Sequence, residues 1–214
     1  MQVILIGASG VVGSSILKSL CATDSVDEVV TINRKGLNFN HKKHRSILND
    51  SISLEFLDQL GINADVYISA LGTTIKKAGS KEKFYEVDHD INYEYALYAK
   101  KMNAKSFILI SVMGADSKSH FFYNRVKGQT EEDIKALKLN SLIFIRPSLL
   151  ISNRNEFRFF EKIAIGLYKV LSYFVSSRIA SKVGTKPTDI ADFISENLVA
   201  KESKIKIIES TELV

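Results

Sequence analysis

Apolar positions in this chain fall in short blocks separated by polar stretches of helical spacing. Residues 2–13 read Gln-Val-Ile-Leu-Ile-Gly-Ala-Ser-Gly-Val-Val-Gly, an apolar run that breaks into glycines at positions 7, 10 and 13. The unbroken Val3–Ile6 block predicts a strand buried on both faces, as parallel sheets require. The pattern from Val11 to about Cys21 predicts a helix. Further apolar blocks predict strands at Val29–Ile32, Asp65–Ala70, Lys105–Val112 and Ser141–Ile145, with a weaker one at Arg45–Leu48. Helical patterns cover residues 51–60, 82–103, 119–138 and 189–200.

Buried strands that alternate with helices predict an α/β fold, a Rossmann-type doubly wound parallel sheet. Right-handed crossovers gather the strand C-termini on one edge, where ligands bind. The chain is expected to form a single domain of this kind over 1–214, with about 150–200 as a small helical C-terminal elaboration, a cap or interaction region. Within it, Phe157 to Phe174 is amphipathic: Phe160, Ile163, Ala164, Leu167, Leu171 and Phe174 oppose Arg158, Glu161, Lys162, Lys169 and Ser172. That helix could pack on its own domain, cover a substrate cleft, pair with a protein partner or second subunit, or lie on a membrane surface.

The glycines change the picture from fold to ligand. Residues 7–13 (Gly7, Ala8, Ser9, Gly10, Val11, Val12, Gly13) make a strand-to-helix elbow. Its backbone can approach a diphosphate, and its helix start offers unpaired N–H groups. Composition adds limits. The 214 residues are 45% apolar and 25% charged, with two prolines (Pro147 and Pro187) and no low-complexity stretch, so one domain suffices. Cys21 is the only cysteine, so no internal disulfide forms. The strand begins at residue 2 and no segment reaches the ~18–20 apolar residues of a membrane span. A cytoplasmic protein is therefore expected. The net charge of +5 is mostly scattered. Its densest run, His41-Lys42-Lys43-His44-Arg45, has no interleaved aromatics, so a solvated loop is expected there and no nucleic-acid partner.

Cofactor preference is read at the end of the second strand. An acidic residue about twenty positions past the glycines would bind the ribose 2′-hydroxyl of NAD. Here Asn33-Arg34-Lys35 stand twenty to twenty-two residues after Gly13. A guanidinium there suits a 2′-phosphate, so NADP(H) is expected over NAD(H), with Asn33, Arg34 and Asp50 as adenosine-end candidates. Of the eight tyrosines, only Tyr123 has a lysine four residues on, Lys127, and i,i+4 residues share a helix face. A phenol is a poor acid–base group at neutral pH unless a cation stands beside it. Ser111, at the end of a predicted strand, is placed to hydrogen-bond a substrate oxygen.

Those features resemble the short-chain dehydrogenase/reductases. More specifically, several stretches resemble the atypical branch that includes the HIV Tat-interacting protein oxidoreductase. They are Ala70-Leu71-Gly72-Thr73-Thr74 with Lys77-Ala78-Gly79; Val87-Asp88; Ser111-Val112-Met113-Gly114-Ala115-Asp116; Tyr123 through Val126-Lys127-Gly128; and Phe144-Ile145-Arg146-Pro147-Ser148. They run in order across residues 3 to about 160. The resemblance implies NADPH binding with a Tyr123/Lys127 pair at the nicotinamide. It also implies further cofactor contacts from Leu71, Gly72, Thr73, Lys127, Arg146 and Pro147. Val112 stands where that branch tends to carry a second serine, and the match fades past about residue 160.

Together these readings point to an oxidoreductase acting on a small-molecule carbonyl or alcohol. Lys76, Lys77, His120, Phe121, Arg154 and Arg158 are expected near the substrate, and no metal is expected. A different reading is a regulatory module that binds NADPH and a protein partner without turnover.

Overall fold

The computed structural model describes residues 1–148, 184–199 and 205–213. β1 (Gln2–Ile6) leads into α1 (Val11–Ala22), β2 (Glu28–Asn33) and β3 (His44–Leu48). After α2 (Leu54–Leu60) come β4 (Val66–Ser69) and two short helices, α3 (Ile75–Ala78) and α4 (Lys81–Tyr85). A π turn over Glu86–Asp90 joins α4 to α5 (Ile91–Lys101). β5 (Ser106–Ile110), α6 (Phe122–Ala136), β6 (Leu142–Arg146), α7 (Pro187–Glu196) and β7 (Ile205–Glu209) complete the described elements.

The seven strands form one sheet in the order β3-β2-β1-β4-β5-β6-β7, and every pairing is parallel. Side chains of β1 alternate between the two layers. Val3 and Leu5 pack with Ile16, Leu17 and Leu20 of α1, while Ile4 and Ile6 pack with Tyr95, Ala96 and Ala99 of α5. That two-sided burial is why Val3–Ile6 is apolar throughout. Strand order reverses at β1, so the β1 and β4 C-termini border the crevice where an open α/β sheet binds ligands.

The structure departs from the sequence reading in several details. The helix expected over 82–103 is present as Lys81–Lys101, but it widens into a π turn over Glu86–Asp90. There Asn92 Nδ2 donates to the Val87 and Asp88 carbonyls, both at 3.1 Å, and Thr130 Oγ1 donates to the Asp88 carbonyl at 3.1 Å. Side chains thus satisfy carbonyls that a regular helix would pair internally, a local arrangement that apolar spacing does not encode. The basic run is also not a free loop. His44 and Arg45 belong to β3, Arg45 pairs with Glu28 at 2.8 Å, and Lys43 Nζ donates to the Thr23 carbonyl at 2.7 Å. Within the stretch expected as a helical elaboration, residues 187–196 pack on α1. Ile190, Ala191 and Ile194 of α7 share one apolar cluster with Ile16, Leu17 and Leu20 of α1. Finally, β7 was not anticipated, because only Ile208 of its five residues is buried. The amphipathic stretch at 157–174 lies outside the described residues. Among those described, no helix is long and apolar enough to cross a membrane.

Candidate active site

The elbow after β1 is shaped by contacts between backbones. Gly7 adopts φ +81°, and a Cβ there would lie 2.4 Å from the Ala70 carbonyl carbon beyond β4. A Cβ on Gly13 would lie 2.1 Å from the Gly7 carbonyl oxygen. Both glycines are therefore required by the packing of α1 against the β1 and β4 ends. Gly10 differs: it is exposed, with only the Gly7 oxygen at 3.3 Å from a built Cβ. It occupies the N-cap of α1, which has no side-chain cap and no acidic residue in its first turn. This bare helix start, with Ser9 and Gly10 open to solvent, fits a dinucleotide diphosphate. Ala8 and Val12 are buried in the apolar cluster, so only their backbone can serve a ligand there.

At the β2 tip, Arg34 and Lys35 are exposed, as is Asp50 beyond β3. Asn33 is not offered outward. Its Nδ2 donates to Thr31 Oγ1 at 2.8 Å and Ser46 Oγ at 3.3 Å, tying β2 to β3 because a buried amide must find partners.

Tyr123 and Lys127 lie one turn apart at the start of α6. Lys127 is buried, with its Nζ 2.7 Å from Asp88 Oδ1; the side chains are 5% and 0% exposed. Asp88 Oδ2 accepts the Thr73 N–H at 2.8 Å. A Cβ on Gly72 would come within 3.3 Å of Asp88 Oδ1 and 3.5 Å of Lys127 Nζ, so the loop after β4 lies directly on this pair. The π turn supplies Asp88, and Asn92, which holds that turn, accepts a hydrogen bond from Ser69 Oγ at the β4 end. Burial works against the Lys127 ammonium, but Asp88, Tyr123 and Glu131 more than offset it and its pKa rises. Burial pushes the Tyr123 phenol above the usual tyrosine value. Lys127 pulls it down and Asp88 adds to the rise. The phenol thus holds its proton at neutral pH, and the adjacent Lys127 ammonium is the group that lowers its pKa.

Ser111 is turned elsewhere. Its Oγ donates to Glu131 Oε1 at 2.6 Å. A serine hydroxyl has one proton, so here it is not offered to a substrate oxygen, contrary to expectation. Arg146 also departs from its expected place at the cofactor. Its Nε and Nη2 pair with the two Glu131 oxygens at 3.0 and 2.7 Å, Nη2 also reaches the Ala115 carbonyl at 3.2 Å, and Nη1 pairs with Glu209 at 3.1 Å. A buried carboxylate needs a cation, and Glu131 engages this one. Pro147 is buried, and its carbonyl accepts the Met113 N–H at 3.0 Å. Lys76, Lys77, His120 and Phe121 are exposed on the loops after β4 and β5. Arg154 and Arg158 lie outside the described residues.

Asp88 and Glu131 were missed as site residues. Glu131 had a legible signal, since Tyr123, Lys127 and Glu131 recur every four residues and share the inward face of one helix. Asp88 lies in the Val87-Asp88 stretch of the family resemblance, but helical patterning gives it no role.

Residues 3–137 match the family described as the NAD dependent epimerase/dehydratase family. The chain belongs to this family. A relative, "Protein FMP52, mitochondrial" of Meyerozyma guilliermondii, is 36% identical over the whole chain and 94% of its own length. Among solved structures, UDP-glucuronic acid 4-epimerase from Bacillus cereus in complex with NAD has a TM-score of 0.70 at 15% identity, covering 98% of this chain and 76% of that one. The oxidoreductase ylbE from Lactococcus lactis has a TM-score of 0.66 at 19% identity, covering 98% and 90%. At such identities these likenesses show the fold alone: a Rossmann-like parallel sheet. The cytoplasmic expectation is overturned, because the relatives of the chain are named mitochondrial.

Proposed function

We propose that this chain is an NADP(H)-dependent oxidoreductase that interconverts a carbonyl compound and its alcohol. The observation that carries the reading is the Tyr123–Lys127–Asp88 group, set on the strand-end edge beneath the Gly72 backbone and beside the glycine elbow. Gly10 and the start of α1 would receive the diphosphate. Arg34 and Lys35, with no carboxylate at the β2 tip, favour a 2′-phosphate. The bound cofactor supplies the hydride that goes to or from the carbonyl carbon. Tyr123 donates the proton to the developing alkoxide oxygen, and Lys127 stabilises the phenolate left behind. Asp88 holds the ammonium in place. Ser111, its proton on Glu131, is assigned no donor role. The motif resemblance to the Tat-interacting branch supports the NADPH preference, and the relatives' names support a mitochondrial setting for this chain as well.

Two measurements test the reading. Calorimetry should give tighter binding of NADPH than of NADH. Tyr123→Phe should lower NADPH-linked carbonyl turnover by about 10²–10⁴-fold, the usual worth of a positioned acid, with NADPH affinity nearly unchanged. Retained turnover in that variant would displace Tyr123 as the acid. NADPH binding with no turnover of any carbonyl would favour a regulatory module instead.

A further inference from the structure

Among the described residues, six large apolar side chains are exposed: Leu48, Ile75, Met113, Phe121, Ile205 and Ile207. Ile205 and Ile207 belong to β7 at one end of the sheet, and Leu48 to β3 at the other. The remaining three stand on segments that follow β4 and β5, on the strand-end edge that also carries Tyr123 and Lys127. Ile75 opens the turn after β4, just past the Gly72 backbone that lies on Lys127; Met113 stands in the loop after β5; Phe121 occupies the N-cap of α6, two residues before Tyr123. They are 39%, 40% and 45% exposed.

The loop that carries Met113 and Phe121 is strapped down. Asn124 Nδ2 donates to the Gly114 carbonyl at 2.7 Å and the Met113 carbonyl at 3.4 Å, and Arg125 Nη1 donates to the Ser119 and His120 carbonyls at 2.8 and 3.2 Å. Met113 N–H is held by the Pro147 carbonyl. Apolar side chains left exposed on a held loop beside candidate catalytic groups offer a ligand surface. On the oxidoreductase reading, which this inference rests on, the reacting carbonyl lies at the Tyr123 phenol, so the rest of the substrate meets these side chains. A sugar ring carries a hydroxyl on most of its carbons, and each loses water on burial and needs a partner. A thioether and a phenyl ring provide no strong one.

We propose that the substrate is a ketone or aldehyde with an apolar body, an alkyl chain or an aromatic ring, seated against Met113 and Phe121 with Ile75 on the β4 side.

Saturation-transfer NMR on the full chain, with and without NADP⁺, tests this with cyclohexanone and acetophenone as apolar probes and UDP-glucose as the polar one. Transfer to both ketones and none to UDP-glucose is expected. Phe121→Ser and Met113→Ser should each weaken ketone binding by about tenfold, or 1.4 kcal/mol, while NADPH affinity stays unchanged and so reports an intact fold. Transfer to UDP-glucose in place of the ketones, transfer to no probe, or ketone affinity unaltered in both variants would each overturn the proposal. Failure of the oxidoreductase reading shows elsewhere, as a parent protein that does not bind NADPH; the cofactor-free arm still reads the ketones.

Discussion

Tyr123 sits between two opposed influences. Burial and Asp88 raise its pKa, and Lys127 lowers it. Asp88 therefore has two effects on α6: it keeps Lys127 charged and holds the phenol protonated to higher pH. Replacing Asp88 by Asn keeps an acceptor for the Thr73 N–H but removes the negative charge. The phenol then loses a contribution that raised its pKa, and the alkaline limb of kcat/KM against pH should move to lower pH. A profile of carbonyl reduction across the alkaline range reads this directly, and an unmoved or upward-moved limb would remove Asp88 from the account. The variant also leaves Lys127 buried without its counter-charge, so a stability loss of about 3–5 kcal/mol is expected by urea unfolding.

At the scale of elements, the β1–α1 elbow separates two uses of glycine. Gly7 and Gly13 allow backbones to touch, whereas Gly10 leaves the helix start open. Gly13→Ala drives a methyl into the Gly7 carbonyl and should cost about 1–3 kcal/mol along with NADPH binding. Gly10→Ala should change stability by no more than about 1 kcal/mol, yet weaken NADPH binding by an order of magnitude or more, because its methyl stands where the diphosphate approaches. Undiminished NADPH affinity in Gly10→Ala, measured by fluorescence titration, would move the diphosphate away from this elbow. The π turn is the second element that matters, since it brings Asp88 under Lys127 and is held by Asn92 and Thr130.

For the molecule as a whole, Glu131 links parts distant in sequence. Ser111 at the end of β5 and Arg146 at the end of β6 meet on this carboxylate of α6, and Glu209 at the end of β7 joins them through Arg146. The network fastens the last strand to the site. Its members are not equivalent. Arg146→Ala leaves Glu131, which is 1% exposed, only Ser111 and the longer 3.8 Å pair with Lys135, and should cost about 3 kcal/mol. Glu209→Gln breaks only the outer, half-exposed pair and should cost less than about 1 kcal/mol. Equal losses for the two in chemical denaturation would mean that burial of Glu131 is not what makes the network matter.

Fold class, the glycine elbow and the Tyr123/Lys127 pair were legible in the residues alone, because each is written in local spacing. A block of apolar residues makes a buried strand, glycines mark where backbones meet, and four residues make one helical turn. The partners of those residues were not legible. Asp88 reaches Lys127 only because side chains from α5 and α6 satisfy the carbonyls of a π turn. Ser111 turns from the expected substrate oxygen to Glu131, and Arg146 from the expected cofactor to the same carboxylate, because a buried charge takes the nearest opposite charge whatever its distance along the chain. Local spacing decided which elements form and which faces are buried; the pairing of buried charges, set by desolvation and proximity in space, was decided only by the tertiary structure.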